Sequence, residues 1–84
     1  MRHARAEALD QLELLLAEIR ALPGLKETRR GIFYRRGRAF LHFHEDPTGL
    51  YADLRGKGAV QFDRFDVTTK AGRAALLSAA RDRL

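Results

Sequence analysis

Gly31-Ile32-Phe33-Tyr34-Arg35-Arg36-Gly37-Arg38-Ala39-Phe40-Leu41-His42-Phe43-His44 is the stretch whose reading decides the fold. Two runs rich in aromatic and branched side chains flank Arg36-Gly37, and glycine accepts the backbone angles that a tight connection needs. The segment therefore predicts a β-hairpin over residues 31–35 and 38–44. Side chains alternate between faces along a strand. With Arg36-Gly37 as the turn, Ile32 faces Leu41 and Tyr34 faces Ala39, and this register assigns each neighbour to one side of a sheet.

Downstream, Asp46-Pro47-Thr48-Gly49 is a strong turn signal, because proline presets one dihedral and glycine accepts a positive one. A third strand follows over 50–55, and Gly56-Lys57-Gly58 marks a further turn. Residues 59–67 read as a fourth strand whose alternation slips: Val60 and Phe62 share one parity, Phe65 and Val67 the other. A bulge near Asp63-Arg64 would reconcile them, or only half of the segment pairs. Thr68 or Thr69 then caps a helix over 70–84 with Ala74, Leu77, Ala80 and Leu84 on its inner side.

Upstream, Leu9, Leu12, Leu15, Leu16, Ile19 and Leu22 recur at intervals of three and four, with charged residues between them, and predict a one-faced helix over 6–22. Pro23-Gly24 stops it, and Lys26-Glu27-Thr28-Arg29-Arg30 reads as a polar lead-in to the hairpin. The expected fold class is α+β: one domain over residues 1–84, an antiparallel β-meander of three to four strands, with N-terminal and C-terminal helices packed on one face.

Composition narrows the function classes. The 84 residues contain no cysteine, which excludes disulfides and thiolate metal sites, the usual staples of a small core. Association with a second copy is the natural remedy for a core this modest. No apolar run approaches the roughly 20 residues of a membrane span, and residues 1–7 read as the charged start of an amphipathic helix rather than a signal peptide. The expectation is a cytoplasmic protein with no membrane partner. A net charge of +5, with 16 basic against 11 acidic side chains, leaves nucleic acid open as a partner, since arginine forks suit phosphate.

Parity places Ile32, Tyr34, Ala39, Leu41, Phe43, Leu50, Ala52 and Leu54 beneath the helices. On the opposite face it gathers Phe33, Phe40, His42, His44, Tyr51 and Asp53, with Arg29, Arg35 and Arg38 as candidate phosphate contacts. If Phe43 pairs with Leu50, then His42 lies across from Tyr51 and Phe40 across from Asp53, while Gly31 leaves a gap beside His42. Three uses of that face follow. Two copies can stack there to hide Phe33 and Phe40, giving a homodimeric binding or assembly module. Bases can stack on the rings while the arginines hold phosphates. Or His42 and His44, with Asp46, Glu45 or Asp53 as carboxylate, can hold a metal that activates water for hydrolysis; His3, the remaining histidine, lies at a terminus expected to fray. Covalent catalysis has little to build on, with Ser78 the sole serine and inside a helix, and no cofactor fingerprint is present.

The segments Leu22-Pro23-Gly24-Leu25-Lys26-Glu27, Gly31 through Phe40, and Leu50-Tyr51-Ala52-Asp53-Leu54 resemble the MmcQ/YjbR-like bacterial proteins, in which a helix ending in Leu-Pro-Gly leads into a glycine-punctuated meander. Around Leu41-His42-Phe43-His44-Glu45-Asp46 and residues 49–54 the chain is similar to the luciferase-domain family. Both resemblances imply an α+β fold with an antiparallel sheet; the first group is often labelled DNA-binding, largely by fold analogy. Neither transfers a catalytic residue to this chain.

Overall fold

A computed structural model describes residues 1–58 and 61–84. The hairpin forms as its sequence requires near the turn: β3 (Ile32–Arg35) and β4 (Arg38–Asp46) pair Arg35 with Arg38 and Tyr34 with Ala39. Arg36 and Gly37 both adopt positive φ, 52° and 76°, the signature of a type I′ turn, whose twist matches that of the flanking strands. One step further the register changes. Phe33 pairs with Leu41 and Ile32 with His42, leaving Phe40 as an extra residue on β4.

This bulge corrects the sequence reading at four positions, Ile32, Phe33, Tyr34 and Phe40. A shift of one residue exchanges the faces of everything beyond it, so Phe33 joins Leu41 on the core side and Ile32 moves to the side of His42. Phe33 is 1% exposed and Phe40 3%, both within the hydrophobic cluster. The two rings expected to face outward opposite each other are covered by the chain itself. Ile32 and Tyr34, expected in the core, are only half-buried.

The second hairpin joins β4 to β5 (Gly49–Arg55) through Pro47 and Thr48, with Asp46 opposite Gly49 and Phe43 opposite Ala52. The expected pairing of Phe43 with Leu50 is thus two residues out. A shift of two preserves parity, so Leu41, Phe43, Leu50, Ala52 and Leu54 are buried as expected. Beyond β5, β6 (Phe62–Asp66) pairs in unbroken register from Arg55↔Phe62 to Tyr51↔Asp66, so of the two alternatives the bulge near Asp63-Arg64 is the one that does not form. Ala59 and Val60, the expected start of that strand, lie outside the described residues.

Two strands exceed the three to four expected. The polar lead-in forms β2 (Lys26–Arg29) on the outer edge of β3, and β1 (Arg2–His3) pairs with His44 and Glu45 of β4. Among the described residues the antiparallel sheet runs β2-β3-β4-β5-β6, with β1 beside β4. Neither addition shows apolar alternation, because an edge strand needs only backbone partners. The end of β1 is held by Ala4 N–H on Phe43 C=O at 3.0 Å and by Arg5 N–H on the Glu45 carboxylate at 2.7 Å.

The helical run divides at Leu12, giving α1 (Ala6–Gln11) and α2 (Glu13–Arg20). Their Leu9, Leu12, Leu15, Leu16 and Ile19 enter one cluster with Leu41, Phe43, Ala52 and Leu54 of the sheet. α3 (Lys70–Asp82) starts at Thr69, whose hydroxyl accepts from Gly72 N–H at 3.2 Å, and buries Leu76, Leu77 and Ala80 rather than Ala74, which is exposed. The helices share one side of the sheet. Its other side is the face on which the histidines lie.

Candidate functional site

Cross-strand pairing sets a row of side chains across the open face: Arg29 on β2, Ile32 on β3, His42 on β4, Asp53 on β5 and Arg64 on β6. The next row holds His3, His44, Tyr51 and Asp66. Alternation along β4 makes His42 and His44 neighbours, and the tight second turn brings Asp53 against them. Of the residues assigned to this face from sequence, His42, His44, Tyr51 and Asp53 are together; Phe33 and Phe40 are not.

His42 Nδ1 lies 2.9 Å from His44 Nε2, with the rings nearly perpendicular and their centroids 4.8 Å apart. The same Nε2 is 3.1 Å from Asp53 Oδ2. Arg64 holds Asp53 from the far side through two parallel hydrogen bonds of 2.8 Å. This fork fixes the plane of the carboxylate and depresses the Asp53 pKa against the opposing effect of partial burial. The Asp53 side chain is 12% exposed and that of His44 19%. His44 Nδ1 is buried without a hydrogen-bond partner.

Burial, then the neighbouring His44, holds the His42 pKa below its usual 6.5, with Asp53 pulling the other way. His3, whose ring meets His44 edge-on at 6.1 Å, is likewise lowered, by burial, His44 and Arg29 in that order. Both imidazoles are therefore neutral near pH 7, with lone pairs available. Phe62 packs on His42 at 5.1 Å and carries the Arg55 guanidinium 4.8 Å above its ring.

One expected ligand is elsewhere. Asp46 accepts from both the backbone N–H and the hydroxyl of Thr48 and so closes the second turn, with Thr48 also bonded to Tyr51 Oη at 2.6 Å. Asp53 takes its place beside the histidines. Glu45 is engaged by Arg2 and the Arg5 backbone. Of the arginines, Arg29 belongs to the His42 row, whereas Arg35 and Arg38 stand apart at the tip of the first hairpin. His3, Phe62 and Arg64 were not foreseen as members of the site. For Arg64 the signal was present in β6 parity, but the supposed slip at Asp63-Arg64 hid it.

The chain has no match among protein-family models, curated proteins or solved structures. Among the described residues no helix is long and apolar enough to cross a membrane. Function has to be read from the chemistry of the site.

Proposed function

We propose that the open sheet face is a binding site for a divalent transition-metal ion, with His42, His44 and Asp53 as its ligands. The observation that carries this is the convergence of three donor atoms, all within 4.8 Å of one another, on a region with too few protons to join them. His44 Nε2 can carry only one hydrogen. That single hydrogen has to serve both the His42 lone pair and the Asp53 carboxylate, and if His42 donates instead, a carboxylate oxygen faces a bare nitrogen lone pair. A cation at the centre turns this crowding into attraction.

Two imidazoles and one carboxylate suit zinc and iron(II) with positions left for water or a further ligand. Bonds of about 2.0–2.1 Å in a tetrahedron require donor atoms about 3.3 Å apart, so the two histidine nitrogens need only part slightly from 2.9 Å. Arg64 acts on the ligand carboxylate as an outer-shell partner does, fixing its orientation. The alternative use of this face, stacking two copies to cover exposed rings, has lost its motive now that Phe33 and Phe40 are buried within the chain.

Calorimetric titration of chelator-treated protein with Zn²⁺, Co²⁺ and Ni²⁺ tests the assignment. We expect one ion per chain, with His44→Ala and Asp53→Asn each losing more affinity than the 10–100-fold typical of an outer-shell partner, and Asp46→Asn binding as wild type does. Absence of saturable binding, or equal affinity in His44→Ala, would refute the site.

A further inference from the structure

At the tip of the first hairpin, four successive residues break three local rules. Arg36 occupies the first central position of a type I′ turn with φ 52°, where asparagine, aspartate or glycine is at ease and a long side chain is strained. Arg35 and Arg38 stand directly opposite each other, like charge against like. None of the three has an acidic partner among the described residues, whereas Arg2, Arg20, Arg30, Arg64 and Arg83 each have at least one. A +5 chain has thus left three cations unneutralised within four positions.

The tip also stands clear of the sheet. The outermost pairs beside it are Lys26↔Tyr34 on one flank and Leu41↔Leu54 on the other, so Arg35 and Arg38 pair only with each other. Among the described residues no acidic side chain offsets the repulsion, and local conflicts of this kind belong where a sequence serves a ligand rather than its own stability.

We propose that the Arg35-Arg36-Gly37-Arg38 tip is a binding site for the phosphodiester backbone of a nucleic acid. Guanidinium forks match phosphate oxygens in pairs, a two-stranded ribbon fits the major groove of a duplex, and a polyanion beside three unpaired cations relieves their mutual repulsion. The site is distinct from the histidine face and needs no metal.

Fluorescence anisotropy with a labelled duplex and a labelled single strand, over a series of salt concentrations, tests it. Replacing the tip by Arg35→Ser, Arg36→Asn and Arg38→Thr removes up to three phosphate contacts, so the slope of log affinity against log salt should fall by about 2 to 3. A control losing the same charge elsewhere, Lys57→Gln with Lys70→Gln and Arg81→Gln, should keep the wild-type slope. Arg36→Asn alone should weaken binding yet raise the melting temperature, because asparagine relieves the turn. Four results would each overturn the proposal: no salt-dependent binding, equal losses in the two triple variants, an Arg36→Asn protein that is both weaker-binding and less stable, or tip-dependent binding to phosphatidylserine vesicles but not to oligonucleotides.

Discussion

Gly72 shows how a single residue can run against its own propensity. It lies in the first turns of α3, where alanine favours a helix by about 1 kcal/mol over glycine. Yet a Cβ placed there would come within 1.9 Å of the Asp66 carbonyl oxygen at the end of β6. Backbone cannot swing aside as a side chain can. Gly72→Ala should therefore destabilise the protein by about 1–3 kcal/mol, read as a lower urea midpoint; a stabilised variant would show that α3 can move off β6. The same scale explains why part of the site was legible and part was not. His42 and His44 share a face by simple alternation, so their pairing could be read from their spacing. Asp53, Arg64 and His3 reach them from three other strands, and only pairing registers bring them near.

Among the elements, β4 carries the decisive irregularity. Its residues were recognisable as a strand and the Arg36-Gly37 turn as a hairpin, but alternation carries no mark of a residue left unpaired. The bulge at Phe40 therefore reversed Ile32 and Phe33 while every residue from Leu41 to Leu54 kept its side. β1 and β2 were missed for another reason: strands lying at an edge can be polar throughout, which also discourages pairing with other chains. The helix over 6–22 was legible from its leucine spacing, though not its division at Leu12. The two registers make opposite forecasts. Phe33→Ala should cost about 3–5 kcal/mol, and Ile32→Ala, at a half-buried position, distinctly less. Chemical denaturation of the two variants decides between them; Ile32→Ala as the costlier change would reinstate the regular hairpin. Phe33→Asp should accordingly unfold the chain.

At the scale of the whole molecule, the helical layer is tied to the sheet edge by charge as well as by the apolar core. Arg20 near the end of α2 bonds Glu27 on β2 at 2.5 and 3.0 Å, and Glu27 also accepts from Gly31 N–H at 2.9 Å. Arg30 reaches Asp10 of α1 and Glu13 of α2 at 2.8 Å each. Arg20 foremost, and the Gly31 N–H after the opposing effect of burial, hold the Glu27 pKa below the usual 4.5. A carboxyl lowered on folding contributes stability that is fully present above its unfolded value and is lost as pH falls through the folded one. The urea midpoint should therefore decline as pH drops below about 4.5, and Glu27→Gln should flatten that decline while lowering the midpoint at pH 7. An unchanged acid profile in Glu27→Gln would assign the acid sensitivity to other carboxyls.

The supernumerary residue at Phe40 also bears on how such chains diverge. A gene that lost one codon there would retain both strands and the turn between them. It would nevertheless send Ile32 inward and Phe33 out beside the histidines. Sequences compared without a gap at that codon would equate positions that face opposite ways, and the apparent exchange of an aliphatic residue for an aromatic one would be an artefact of counting.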